Sequence, residues 1–126
     1  MPRSIPRLLG ASVALLGLTA LLLPACGGPP PKDPSQMTGA ELFLANCARC
    51  HGRAGEGSFL APNIKGASEH WTVDQLVIYI RDPQKVIAED ERLRAQGQQY
   101  SQRMPAFPQL SPDQRAKVAE WVLRPR

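Results

Sequence analysis

Residues 46–52, NCARCHG, place two cysteines three positions apart and a histidine directly after the second cysteine. This spacing is typical of c-type haem attachment. Two thiols about one helical turn apart can bond to the two vinyl groups on one edge of a haem, and the next imidazole then falls beneath the iron. The motif therefore predicts one haem c, attached covalently through Cys47 and Cys50, with His51 as an axial iron ligand.

Three other kinds of site use paired cysteines, and the sequence favours none of them. A thiol–disulfide redox motif usually lies in a βαβ setting, but no strand pattern precedes residue 46. A structural zinc site needs four ligands, and beyond the motif the further cysteine and histidine are Cys26 and His70. A plain structural disulfide would leave the adjacent histidine unexplained.

Helix start signals recur along the chain, and no segment has a convincing strand pattern. TGAE (38–41), TVDQ (72–75) and SPDQ (111–114) each pair a hydroxyl residue with Glu or Gln three positions later, which is the capping-box arrangement. With the apolar spacing, these signals predict helices at 39–48, 73–81, from 82 or 83 to 97, and 112–123. The fold class is therefore all-α, with about four short helices. The connections at 52–71 and 97–110 are long for a compact domain, which favours a bulky apolar cofactor at its centre.

Beyond the motif, residues 38–123 resemble the class I c-type cytochromes. Gly39, Phe43 and Cys47 occur four apart, as in that family's first helix, where the glycine lets the last helix approach closely. Val118 and Trp121 match the apolar and aromatic pair that meets this glycine. The resemblance implies a small cytochrome c fold at 38–126, packed around one covalently bound haem.

The same resemblance implicates two residues outside the motif. APNIKG (61–66) is similar to the stretch whose proline carbonyl accepts the N–H of the haem-ligating histidine, which implies this role for Pro62. Met104 begins MPAF (104–107), and the second axial ligand of class I cytochromes is a methionine in such a Met-Pro loop. The alternative for Pro62 is a plain turn residue, and the alternative for Met104 is a side chain that fills a gap in the core. The other candidates for the second axial position are Met37, His70, Tyr79 and Tyr100, of which His70 is the runner-up.

Residues 1–25 have the features of a secretory signal peptide. Residues 8–23 carry no charge and follow Arg3 and Arg7, and sixteen helical residues would span about 24 Å, less than the roughly 30 Å of a membrane core. A retained membrane helix is therefore the weaker alternative. The run ends in LPAC (23–26), which resembles a bacterial lipobox apart from Pro24 and implies lipidation of Cys26. The alternative is an incidental thiol beside an ordinary cleavage site.

A chain that starts at Cys26 would begin with a Pro- and Gly-rich tether at 26–37. Loss of Arg3 and Arg7 leaves 13 Lys and Arg against 11 Asp and Glu, so the formal charge falls from +4 to +2. Because the charge is small and no basic run occurs, the sequence excludes nucleic-acid binding.

These features predict a lipid-tethered carrier of single electrons, exported to the outer face of the cytoplasmic membrane or the periplasm, with redox proteins as donors and acceptors. With both axial positions filled and no catalytic set in the sequence, we expect neither a small-molecule substrate nor independent enzymatic activity. A fixed haem subunit of a larger oxidoreductase, such as a terminal oxidase or a sulfur-oxidising complex, is the alternative. A haem sensor or peroxidase-like protein is a further one. The charged insert at 88–103 is expected to form a solvated face, or alternatively a docking surface.

Overall fold

The computed structural model describes Gly28 and residues 30–125. The predicted signal peptide and Cys26 lie outside these residues. A compact unit begins at Pro31. Its α-helices are α1 (Gly39–Asn46), α2 (Ala48–His51), α3 (Val73–Arg81), α4 (Pro83–Glu89), α5 (Glu91–Gly97) and α6 (Pro112–Val122), and Pro34–Gln36 and Ala67–Glu69 form short 3-10 helices. No strand occurs in the described part of the chain, which confirms the all-α fold class. None of the helices described there is both long and apolar enough to cross a membrane.

The three predicted capping boxes are present, and α1, α3 and α6 begin where they predict. In α1 the Glu41 N–H donates to Thr38 Oγ1 at 3.3 Å, and the Thr38 N–H donates to the Glu41 carboxylate at 2.9 Å. These bonds satisfy two backbone amides that have no partner within a helix.

Two of the predicted helices are each divided into two. The helix predicted at 39–48 ends at Asn46, and Cys47 connects it to the single turn of α2. The helix predicted to end at Gly97 is interrupted by Asp90, whose extended backbone (φ −118°, ψ 113°) ends α4. The Asp90 carboxylate then accepts a hydrogen bond from the Leu93 N–H at 3.1 Å and caps α5. The helices are therefore more numerous and shorter than predicted.

The core lies where α6 packs against α1 and α3. A Cβ atom on Gly39 would stand 2.1 Å from the Lys117 carbonyl oxygen, so the crossing of α1 and α6 requires a glycine. One helical turn further, the ring centroids of Phe43 and Trp121 lie 4.2 Å apart. The buried residues around this crossing form a central cluster: Leu42, Phe43, Cys47, Leu76, Ile80, Leu110, Val118, Ala119 and Val122.

Part of the segment predicted as a tether lies against α6. The Gln114 side-chain amide is buried and donates to the Pro34 carbonyl oxygen at 2.8 Å. The Lys117 ammonium donates to the Ser35 carbonyl oxygen at 3.2 Å, and Lys32 forms an ion pair with Glu41. Residues 32–37 therefore contact the helical domain, ahead of the predicted domain start at residue 38.

Candidate functional site

The cysteine pair lies on one turn at the junction of α1 and α2. The Cys50 and His51 N–H groups both donate to the Cys47 carbonyl oxygen, at 3.1 and 3.0 Å. The Cys47 side chain is buried within the central cluster, whereas Cys50 is half-buried, and the two do not form a disulfide. Burial, with the neighbouring Cys50 thiol as a second cause, raises the pKa of the Cys47 thiol to about 12. Because the thiolate is the nucleophile in disulfide exchange, a thiol held protonated does not suit a redox-active dithiol.

His51 is oriented by a backbone carbonyl group. Its Nδ1 atom lies 2.9 Å from the carbonyl oxygen of Pro62. A carbonyl oxygen can only accept a hydrogen bond, so Nδ1 carries the hydrogen and Nε2 keeps its lone pair. Burial lowers the pKa of the His51 imidazole, while the bond to Pro62 acts in the opposite direction. The structure thus presents a neutral imidazole with one ring nitrogen available for a metal.

The loop after α2 brings Pro62 beneath His51 through backbone hydrogen bonds. The Gly57 N–H donates to the His51 carbonyl oxygen at 2.7 Å, and the Ile64 N–H donates to the Gly55 carbonyl oxygen at 2.9 Å. Gly57 has φ +83°, and a Cβ atom there would stand 2.5 Å from the Asn63 nitrogen. This close approach closes the 57–63 turn, and the hydrogen bond from Gly57 to His51 holds the turn against the cysteine motif.

Met104 begins a segment that we call the distal loop, residues 104–110. The Met104 side chain is half-buried and packs against the central cluster. Its carbonyl oxygen accepts a hydrogen bond from the Gln84 side-chain amide at 3.0 Å. The Phe107 N–H donates to the Ile80 carbonyl oxygen at 3.2 Å. Bonds to two helices therefore hold this loop against the core.

The other candidate axial ligands lie in different surroundings. Met37 also packs against the central cluster, and its carbonyl oxygen lies near the Lys117 ammonium at 3.5 Å. The Tyr79 ring stacks obliquely on Trp71, with centroids 4.9 Å apart. Burial raises the pKa of the Tyr79 hydroxyl, which disfavours the phenolate that binds iron. His70 is exposed at the end of a 3-10 helix, and Tyr100 is half-buried within the insert.

Comparison with protein families identifies the family of the chain, and with it the cofactor. Residues 36–124 match the family model described as cytochrome c. The chain belongs to the cytochrome c family. Comparisons with curated proteins and with solved structures gave no match. Members of the family carry haem c attached at a C-x-x-C-H motif, and in this cytochrome c the cysteines of that motif are Cys47 and Cys50.

The residues of this cytochrome c fit the cofactor. The two thiols are unpaired and lie within one turn, and the tautomer of His51 leaves Nε2 available. Among the described residues no group of three or more His, Cys, Asp and Glu side chains could hold a metal ion, so the zinc alternative has no support there. The predicted haem c is therefore confirmed at the level of the family.

Two residues that hold the distal loop were not predicted from the sequence. Gln84 bonds to a residue twenty positions later, and nothing in the local sequence indicates such a contact. Arg115 is 8% exposed and donates from its guanidinium to the Leu110 carbonyl oxygen. Arg115 lies one turn before Val118 on α6, so it is a charged residue on the buried face of the helix. This position was the sequence feature that could have indicated a buried partner for Arg115.

Proposed function

We propose that this cytochrome c is a single-electron carrier whose haem iron is ligated by His51 and Met104. The observation that carries the proposal is the position of Met104 in a Met-Pro loop that hydrogen bonds hold against the buried cluster containing Cys47. Hydrogen bonds at residues 104, 107 and 110 hold its loop against the helices. The methionine therefore belongs to a structured segment. A ligand that must stay bound in both oxidation states benefits from such support.

The side chains determine how such a site would work. Haem, when bound, supplies an iron that gains and loses one electron. His51 would offer its Nε2 lone pair, and the bond to Pro62 keeps the imidazole neutral and correctly oriented. The soft thioether of Met104 favours the ferrous state and so raises the reduction potential. Two protein ligands would leave no axial position for a substrate, which suits electron transfer and disfavours a sensor or peroxidase-like activity.

The test of the axial ligands is an absorption spectrum of the oxidised protein. We expect a weak band at the red end that marks iron–sulfur coordination, and we expect it to disappear in Met104→Ala. Met37→Ala is the matched control, because Met37 is the other methionine that packs against the central cluster. A wild-type spectrum without the band would overturn the proposed ligation, and loss of the wild-type ligand in His70→Ala would assign the position to His70.

We further propose that a lipid on Cys26 holds the carrier at the outer face of the cytoplasmic membrane. Cytochrome c domains are typically exported, and the LPAC segment supplies a candidate acceptor thiol. Confinement to the surface would raise the effective concentration of the carrier near membrane-bound redox partners, and such contacts are expected to be small and short-lived.

Cys26→Ser tests the anchor, because it removes the acceptor thiol and leaves the haem motif intact. We expect the variant in the soluble fraction after detergent-free extraction, whereas the wild type stays with the membranes. Equal retention of both proteins, with masses that show residues 1–25 removed from each, would contradict the anchor. A free carrier should also be recovered alone after solubilisation; recovery in fixed stoichiometry with other chains would instead assign it to a larger oxidoreductase.

A further inference from the structure

The hydrogen bond between Gln84 and Met104 closes a long excursion of the chain. Gln84 is the second residue of α4, and its Nε2 atom donates to the carbonyl oxygen of Met104 at 3.0 Å. The residues between them include the rest of α4 and the charged insert, within which α5 lies. The two ends of this excursion are thus joined at the residue that we propose as the axial ligand.

The other two attachments of the distal loop act further along the chain. The Phe107 N–H bonds to the Ile80 carbonyl oxygen in the last turn of α3, where helix carbonyls have no partner within the helix. The Arg115 guanidinium bonds to the Leu110 carbonyl oxygen just before α6. Both restrain the C-terminal part of the loop. Within the described residues, the Gln84 amide is the hydrogen-bond donor to Met104 itself.

We propose that Gln84 is a positioning residue that keeps Met104 on the iron. The inference rests on the His51/Met104 ligation proposed above. An external ligand such as imidazole can bind the iron only in molecules whose methionine has moved away, so its apparent affinity is reduced by the small fraction of open molecules. Loss of the Gln84 bond removes a restraint that acts in the closed state and thereby raises this fraction. Because one neutral hydrogen bond contributes modestly, we expect imidazole to bind about two- to tenfold more tightly.

Two substitutions at Gln84 separate this role from a general effect on stability. Gln84→Ala removes the amide, and Gln84→Glu keeps the shape but puts an acceptor against the Met104 carbonyl oxygen. A carboxylate in the first turn interacts favourably with the positive end of the helix dipole, so Gln84→Glu should not weaken α4. Gln84 is exposed, so neither change disturbs the core. Gln102→Ala is the matched control, since Gln102 is an exposed glutamine of the same excursion for which the described residues provide no side-chain hydrogen bond.

The experiment is a titration of the oxidised haem protein with imidazole, followed by absorption spectroscopy. We expect tighter binding by both Gln84 variants, wild-type affinity for Gln102→Ala, and the iron–sulfur band in all four proteins before imidazole is added. Unchanged affinity in both Gln84 variants, with the band present in the wild type, would overturn the role of Gln84 and leave the axial ligation standing. Absence of the band from the wild type would overturn the ligation, and the inference would fall with it.

Discussion

The Nδ1 atom of His51 lies 2.9 Å from the carbonyl oxygen of Pro62, eleven residues further along the chain. This contact fixes the tautomer of the imidazole, and it exists because the 57–63 turn folds back on the cysteine motif. Ser58 contributes as well, since its hydroxyl donates to the Cys50 carbonyl oxygen at 2.6 Å. The orientation of the proposed iron ligand therefore depends on a turn that contains none of the ligands.

The first prediction tests this dependence with two glycines that have nearly the same positive φ. Gly57 and Gly66 have φ +83° and +81°, but a Cβ on Gly57 would stand 2.5 Å from the Asn63 nitrogen, whereas a Cβ on Gly66 meets the Glu69 carboxylate at 3.5 Å, an ordinary contact. We expect Gly66→Ala to cost about 1–2 kcal/mol for the left-handed conformation. Gly57→Ala should cost about 1–3 kcal/mol more, because the backbone next to Pro62 must move.

Urea unfolding of the two haem proteins, followed by circular dichroism, measures these costs. Equal losses in both variants would show that the close approach of Gly57 to Asn63 contributes nothing, and that the strain of a positive φ accounts for the whole effect.

The parts of the fold and site that could be predicted from the sequence are those encoded by local signals. The C-x-x-C-H motif and the capping boxes each lie within five residues, so their spacing carries their meaning. Gln84 could not be predicted, because its partner lies twenty residues away and is a backbone atom that every residue has. The break at Asp90 was missed for a different reason. An aspartate within a helical pattern can either continue the helix or cap a new one, and tertiary packing of Leu93 favours the second outcome.

The second prediction concerns this break between α4 and α5. The Asp90 carboxylate accepts the hydrogen bond from Leu93, and it also lies 3.6 Å from the Arg92 guanidinium in an exposed ion pair. Asp90→Ala removes both interactions and should lower the free energy of unfolding by about 1 kcal/mol, mainly through the lost cap. Asp90→Asn keeps a capping oxygen and should cost less, since exposed ion pairs contribute little. Denaturant unfolding compares them; a cost for Asp90→Asn as large as that for Asp90→Ala would assign the effect to the charge.

The third prediction is a pH dependence that arises from Glu41. Its side-chain hydrogen bond with Lys32, and then its bonds with the Thr38 backbone and hydroxyl, lower the pKa of this carboxyl from the ordinary 4.5 to about 2. Because the pKa is depressed in the folded state, the stabilisation is present above about pH 4.5 and is lost as the pH falls toward about 2. Glu41→Gln removes the titration and should retain the capping box, as Gln75 and Gln114 do in the other two boxes.

Urea midpoints at about pH 6 and about pH 3 provide the measurement. The midpoint should fall less with acidification in Glu41→Gln than in the wild type, and Glu89→Gln, at the exposed end of α4, serves as the control. The same loss in all three proteins would exclude Glu41 as the source.

The fourth prediction concerns the crossing of α1 and α6. A Cβ on Gly39 would stand 2.1 Å from the Lys117 carbonyl oxygen and 3.0 Å from the Trp121 Cβ, so Gly39→Ala must push the helices apart and disturb the packing of Phe43 on Trp121. We expect it to lower the free energy of unfolding by about 1–3 kcal/mol. Gly97→Ala is the matched control, since Gly97 ends α5 and the added methyl group would meet no atom within 4 Å outside the adjacent residues and the backbone of its own helix. It should raise stability by about 0.5–1 kcal/mol. Denaturant unfolding compares the two variants. A loss of stability in Gly39→Ala together with a gain in Gly97→Ala would attribute the loss to the helix crossing, whereas a gain in Gly39→Ala would contradict the close approach of the two backbones.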